Sequence, residues 1–383
     1  MPLRILIHVQ HLLGTGHFRR AAAIGQALAE TGHEVEIASG GLPLANPGTG
    51  AARLFQLPPM RAANAAFTSL IDEHGQPISA DWKTRRRNAL IARFSALRPD
   101  VLITELFPFG RRQLEFELLP LLDAARALSP RPLILWSLRD VLVAPRDPAK
   151  IACALERAQG YDRILVHGDP SLLDLPASYP AARDLGERVV YTGYIAAPPS
   201  LEPPGDDGRD AIIVSSGGGA VGARRRETAL AAQALTEPGR RWRFLLGADL
   251  PADARRRLLA RQGPDVIVEP ARADFPGLLR RCHVSVSQAG YNTVMDILQT
   301  RTRAVLVPFA AGSETEQPMR AAALAVRGWA IVLDEASLDP AGLAAGIAEA
   351  GYRHRPEATA LYCNGAAETA RLVGVLHAER QTA

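Results

Sequence analysis

Short apolar runs rich in valine, isoleucine and leucine alternate with longer amphipathic stretches from one end of the chain to the other. A strand buried on both faces reads as an unbroken apolar run, and a helix as a stripe with a 3.6-residue period. The alternation therefore predicts βαβ units and parallel sheets. In the first half it places strands at 4–9, 35–39, 54–57, 101–105, 133–137, 164–166 and 189–191, with helices at 18–31, 82–97, 112–128 and 148–160. Residues 194–208 interrupt the pattern: Pro198, Pro199, Pro203 and Pro204 remove backbone donors, and Gly205-Asp206-Asp207-Gly208 favours turns. Beyond this linker, strands are expected at 211–215, 242–246, 266–268, 284–287, 304–307 and 330–332. Helices are expected at 220–235, 252–261, 275–281, 291–299, 315–327 and 340–350, and a last one at 356–376 has no strand after it.

At 383 residues the chain exceeds what one core usually organises. The expectation is an α/β protein of two Rossmann-like, doubly wound parallel-sheet domains facing one cleft, at residues 1–195 and 196–383. The last helix is placed to pack back on the first domain. A formal charge of +4 changes little, but its source does: Lys83 and Lys150 are the only lysines, and arginine carries the rest. Runs at Arg85-Arg86-Arg87, Arg224-Arg225-Arg226 and Arg255-Arg256-Arg257 read as solvated helix faces, or as attraction for anionic headgroups or substrates. No aromatic-rich or helix-turn-helix pattern accompanies them, which argues against nucleic acid. Cys153, Cys282 and Cys363 lack metal-ligand spacing and read as reduced core residues of a cytoplasmic protein. The N-terminal apolar run is too short for a signal peptide and no run is long enough to span a bilayer. Peripheral membrane contact stays open.

Five loops at predicted strand ends carry unusual chemistry. After the first strand, Gly14-Thr15-Gly16-His17 combines a tight turn with a helix start, where exposed N–H groups and the helix dipole meet. His17 reads as a general base facing the cleft or as a capping or core imidazole. Glu105 ends an apolar strand, and could orient His17, bind acceptor hydroxyls, or pair with Arg111 or Arg139. Phe107 and Phe109 after it read as an apolar acceptor lining or as a packed loop. In the second half, Ser216-Gly217-Gly218-Gly219 leaves backbone N–H groups to cradle a diphosphate, or makes a mere tight turn, and the absence of Gly-Lys-Ser/Thr excludes a P-loop. Gln288-Ala289-Gly290 then leads from a strand into a helix bearing Asn292, Thr293 and Asp296; a carboxylate there can accept both hydroxyls of a ribose. Glu316 and Gln317 stand at another helix start with side chains suited to sugar hydroxyls, although Thr315 or Glu316 could equally cap that helix. No Asp-x-Asp or histidine cluster suggests a metal.

Together these loops resemble the GT-B glycosyltransferases of family 28, the MurG-type enzymes among them. Ser287-Gln288-Ala289-Gly290-Tyr291-Asn292-Thr293-Val294-Met295-Asp296 resembles the family's ribose-binding element. Val307-Pro308-Phe309 with Glu316-Gln317 resembles its donor-sugar stretch, Gly217–Gly219 its diphosphate loop, and Gly14-Thr15-Gly16-His17 its acceptor-side loop. By the same spacing, residues near Arg272 would meet the base through backbone groups. The segment Thr104–Gly110 resembles a group of predicted bacterial glycosyltransferases to which no substrate is assigned. The chain departs from MurG-type enzymes in having Asp296 for glutamate and Glu316 for glutamine, and in lacking an arginine within Gly193-Tyr194-Ile195-Ala196. What the resemblance implies is a glycosyltransferase of the hexosyltransferase class. It would move a sugar from a nucleoside diphosphate sugar, UDP-linked, to an acceptor hydroxyl with inversion, and the lack of a metal-binding pattern predicts that it does so without metal or cofactor. A lipid-linked acceptor, met at the inner face of the cytoplasmic membrane, is compatible with the arginine runs and the phenylalanines. The rivals are a nucleotide-sugar hydrolase or epimerase on the same scaffold, and a non-catalytic nucleotide-sugar binding protein.

Overall fold

The computed structural model describes residues 2–12, 14–64, 69–196, 202–215, 223–247, 250–310, 314–356 and 363–382. The chain divides into two compact units: Met1–Pro170 with Asp174–Ile195 and Asn364–Ala383, and Ser171–Leu173 with Ala196–Cys363.

The first unit begins β1 (Arg4–Val9), α1 (Gly16–Glu30), β2 (Glu34–Ser39) and β3 (Arg53–Gln56). A hairpin follows, β4 (Met60–Ala62) and β5 (Leu70–Asp72), then α2 (Ala80–Leu97), β6 (Val101–Glu105), α3 (Glu115–Ala127) and β7 (Leu133–Arg139). It continues with α4 (Pro148–Ala158), β8 (Arg163–His167), the single turn α5 (Leu175–Ser178) and β9 (Val189–Tyr191). Among the described residues its main sheet has seven strands in the order β3-β2-β1-β6-β7-β8-β9, and every pair is parallel. Side chains alternate between two cores. Leu6, Leu102 and Trp136 face Leu90 and Phe94 of α2 and Leu118 and Leu122 of α3. Ile5, Ile7, Ile103 and Leu135 face Phe18, Ile24 and Leu28 of α1.

The second unit holds β10 (Ile212–Ser215), α6 (Ala223–Ala232), β11 (Trp242–Leu246), α7 (Ala252–Leu259), β12 (Val266–Pro270) and α8 (Phe275–Arg281). Then come β13 (Val284–Ser287), α9 (Tyr291–Thr300), β14 (Ala304–Leu306), α10 (Glu316–Val326), β15 (Ile331–Val332) and α11 (Pro340–Tyr352). Its sheet runs β12-β11-β10-β13-β14-β15, with Ile212, Val214, Val284 and Val286 buried against Ala229, Leu343 and Ile347. Part of the expected linker is tied to this unit: Arg281 donates to the Pro203 carbonyl at 2.9 Å, and Asp207 accepts from Arg272 at 2.6 Å.

Two expectations need correction. The last helix, α12, spans Gly365–Thr382, where 356–376 is expected; residues 357–362 of that range lie outside the described residues. Asn364 first bridges to Ile195, and a Cβ on Gly365 would lie 2.3 Å from the Gly193 carbonyl oxygen, so the helix starts where the chain has rejoined the first unit. Ala370 and Val373 of α12 then complete the core beside α1. The arginine runs are also not simply solvated. Arg86 is fully buried, donating to both oxygens of Glu117 at 2.6 and 2.9 Å and to the carbonyls of Gly40 and Pro58. Arg225 and Arg226 are buried too. No helix among the described residues is long and apolar enough to cross a membrane.

Candidate functional site

The first sheet reverses its winding between β1 and β6, with β2 and β3 on one side of that pair and β7 to β9 on the other. Ligands of open parallel sheets bind outside the carboxyl ends of the strands at such a point. Because β1 and β6 run side by side, with His8 opposite Thr104, the loop leaving β1 and the last residue of β6 arrive together. Gly14 is exposed, Thr15 and Gly16 are half-buried, and Thr15 occupies the N-cap position of α1 without a side-chain cap bond. His17 follows as the second residue of the helix.

His17 and Glu105 meet: Nδ1 lies 2.8 Å from Glu105 Oε1. An ionised carboxylate only accepts, so Nδ1 carries the proton and Nε2 keeps the lone pair. Arg20 pairs with the same Oε1, and its Nη2 sits 3.1 Å from His17 Nδ1. Glu105 is 2% exposed, and its Oε2 has no hydrogen-bond partner among the described residues. Burial pushes the His17 imidazolium down to about 4, against the pull of Glu105 and with help from Arg111 and Arg20. Burial alone would raise the Glu105 carboxyl, but the charges and hydrogen bonds of His17 and Arg20 outweigh it and hold it well below the usual carboxylate range. At neutral pH the pair is a neutral imidazole on an ionised carboxylate.

The sequence points to Arg111 or Arg139 as the cation near Glu105, and it is Arg20 that forms the ion pair described here. A signal was present, since Arg20 stands three positions after His17 on α1 and so shares its face. Beneath them His167, fully buried, bonds Ser137 Oγ and Thr192 Oγ1, each at 2.8 Å. Phe107 and Phe109 are packed side chains. Phe107 is fully buried, and Phe109 stacks on Tyr179 at 4.1 Å with its ring edge-on to Trp136 at 4.5 Å.

In the second unit the winding reverses between β10 and β13. Ser216, Gly217, Gly218 and Gly219 lie outside the described residues. Gln288 and Ala289 are buried directly after β13, and Gly290 occupies the N-cap position of α9. A Cβ on Gly290 would meet nothing within 4 Å, and its φ of −64° is open to any residue, so the chain's own packing does not demand the glycine. Asn292 is exposed while Thr293 and Asp296 are half-buried; spaced three and four apart, they share one face of α9.

Arg320 was not singled out by sequence. It is buried on α10 and donates to the Ala289 carbonyl at 2.8 Å, holding the loop after β13. Gln317 Oε1 accepts from Phe309 N at 3.1 Å, tying the exit of β14 to α10. The cap of α10 comes from Glu314, whose Oε1 accepts from Glu316 N at 2.7 Å, and not from Thr315 or Glu316. The Arg272 side chain is bound within the chain, donating to Asp274 at 2.8 and 2.6 Å and to Asp207 at 2.6 Å. Only backbone groups of that segment remain for the ligand contact the sequence suggests. No group of three or more His, Cys, Asp or Glu side chains among the described residues is arranged to hold a metal ion.

Residues 218–368 match the family model of the glycosyltransferase family 28 C-terminal domain. A curated relative is the UDP-N-acetylglucosamine--N-acetylmuramyl-(pentapeptide) pyrophosphoryl-undecaprenol N-acetylglucosamine transferase of Synechococcus sp. (strain JA-2-3B'a(2-13)). It is 32% identical over 155 residues, 40% of this chain and 42% of that protein. The chain thus spans less than half the length of this relative. Among solved structures, the calicheamicin glycosyltransferase CalG4 superposes with a TM-score of 0.66 at 16% identity, covering 99% of this chain and 98% of that one. MurG of Acinetobacter baumannii gives 0.57 at 15% identity, covering 98% and 99%. These likenesses establish the fold.

Proposed function

We propose that this chain, whose second unit carries a glycosyltransferase family 28 C-terminal domain on a GT-B scaffold, moves a sugar from a nucleoside diphosphate sugar to an acceptor hydroxyl. The observation that carries the proposal is the His17–Glu105 pair, at 2.8 Å, on a switch point of the first sheet. His17 Nε2 takes the acceptor proton, and the acceptor oxygen forms its bond to the anomeric carbon. The bond from that carbon to the phosphate oxygen breaks, and the nucleoside diphosphate leaves with the electron pair. Glu105 stabilises the imidazolium that forms. In the second unit the ribose falls to Asp296, the sugar to Glu316 and Gln317, and the diphosphate to the segment Ser216–Gly219. A single displacement of this kind inverts the anomeric centre, and no step calls on a metal ion.

The donor we assign is UDP-linked, supported by the named donor of the relative above. Its named acceptor is undecaprenol-linked, which supports a lipid-linked acceptor; with such an acceptor goes work at the inner face of the cytoplasmic membrane. The sugar is not carried across, because Asp296 and Glu316 change the residues the resemblance assigns to ribose and sugar.

The test has two parts. A ligand that binds only the folded chain raises its melting temperature with concentration, so a panel of nucleoside diphosphate sugars identifies the donor. His17→Ala should keep that shift and lose turnover by about 10²- to 10⁴-fold. Rapid stoichiometric release of free sugar without acceptor would establish a hydrolase instead.

A further inference from the structure

The second unit contains a buried charge that the site above does not use. Arg225, in the first turn of α6, is 0% exposed. Its Nη2 donates to the Ser215 carbonyl at 3.2 Å, which sets the guanidinium at the carboxyl end of β10. Its Nε and Nη1 have no hydrogen-bond partner among the described residues. No carboxylate among those residues forms an ion pair with it; the charge of Arg226 repels it and that of Glu335 attracts it. Buried polar groups are almost always satisfied, and a buried cation without a counter-charge is costly.

Three other orphaned groups of this unit lie at the same end of its sheet. Ser215 Oγ, Ser287 Oγ and Gln288 Nε2 are also buried without partners among the described residues. Ser215 and Ser287 lie one step beyond the paired Val214 and Val286, at the ends of adjacent strands. These three groups and Arg225 therefore gather at the carboxyl ends of β10 and β13, where the second sheet reverses its winding. The start of α6, with its positive dipole end, is there as well.

We propose that Arg225 is the counter-charge for a phosphate-bearing ligand held at the end of β10. In the transferase that ligand is the donor's diphosphate, so the assignment rests on the function proposed above. A guanidinium fixed through one nitrogen to Ser215 keeps Nε–H and Nη1–H uncommitted, two donors that suit phosphate oxygens, and the low dielectric around it leaves its charge poorly screened. Burial pushes its pKa down only to about 10, so it stays cationic at neutral pH.

The test is calorimetric titration of the full chain and of Arg225→Met and Arg225→Lys with UDP, dTDP and GDP, the matching nucleosides, and inorganic pyrophosphate. Arg225→Met is expected to weaken the preferred nucleoside diphosphate by about 10- to 100-fold. It should leave the nucleoside within twofold, and Arg225→Lys should recover part of the loss. The ligand-free melting temperature of Arg225→Met should not fall, because an uncompensated charge is replaced by an apolar chain of similar length. In the wild-type chain, the Arg225 Nε–H resonance should move when the diphosphate is added. Equal losses for nucleoside and diphosphate, or an unchanged diphosphate affinity, would overturn the assignment while leaving the transferase standing. Pyrophosphate that binds through Arg225 while no nucleotide binds would mark a free-phosphate site and overturn the donor assignment. A wild-type chain that binds none of these probes removes both.

Discussion

Replacing Arg20 by methionine should raise the His17 pKa. Arg20 pairs with the Glu105 oxygen that holds His17 Nδ1, and its own charge repels the imidazolium. Its removal has two effects of the same sign, since Glu105 is left to His17 alone and the repulsion disappears. Two unit charges 4 Å apart interact by about 4 kcal/mol at an effective dielectric of 20, and one pKa unit is 1.36 kcal/mol. Allowing for solvent let in by the shorter side chain, the His17 pKa of about 4 should rise by about one to two units. The assay is a proton NMR titration of the imidazole Cε1–H, with His17 identified through His17→Gln. Turnover should report the same change, because His17 is a base only when neutral: the acid limb of kcat/KM moves up to the new pKa. Arg20→Lys, which keeps the charge, should show less than half the shift. A His17 pKa that stays near 4 in Arg20→Met, or falls, would refute the charge arrangement on which the general-base role depends.

Three further outcomes follow from the packing. Phe109→Ala should cost about 3–5 kcal/mol in a urea melt, as expected for emptying a buried aromatic site; an unchanged melt with a raised acceptor KM would return Phe109 to the acceptor. Glu117→Gln, which leaves Arg86 buried without its carboxylate, should cost about 3–5 kcal/mol, whereas a solvated helix face predicts less than about 0.5. Burial lowers His17 to about 4 and His167 to about 3, so the unfolded chain binds protons below about 6.5 that the folded chain refuses. The contribution of these two histidines to stability is therefore complete above that pH and declines as pH falls towards 3. Between about pH 5 and 6.5, above the carboxylate range, His167→Gln should flatten the slope of unfolding free energy against pH. A slope equal to wild type would show that His167 titrates normally.

The sheets were legible because a buried parallel strand is an apolar run with hard edges. The predicted limits of 4–9, 101–105, 189–191, 242–246 and 284–287 are those of β1, β6, β9, β11 and β13. The hairpin β4–β5 was not: Met60-Arg61-Ala62 and Leu70-Ile71-Asp72 mix a charged residue into three positions, whereas the equally short Val189-Val190-Tyr191 of β9 has none. The start of α12 escaped for a different reason: it is set by a bridge to Ile195 across a long sequence separation. Glu105 and His17 could be singled out individually from strand ends, but their contact depends on β1 and β6 being neighbours, which no local pattern states. The arginines were the hardest. Arg86 is buried because Glu117 of another helix waits for it, and Arg320 because the Ala289 carbonyl does. In both cases a residue type that usually signals the surface was drawn inside by a distant acceptor.

The return of α12 to the first unit has a consequence for biosynthesis. A ribosome delivers the sheet β1 to β9 early, but the side chains that close the core beside α1, Ala370 and Val373, emerge only after the second unit. The second unit, almost all of it one continuous stretch of chain, can fold while its neighbour still exposes an apolar groove. A fragment ending at residue 195 would keep that groove for good, with Ile7, Phe18 and Ile24 short of their cover. Such a fragment should aggregate on expression, and recover when residues 364–382 are supplied as a separate peptide.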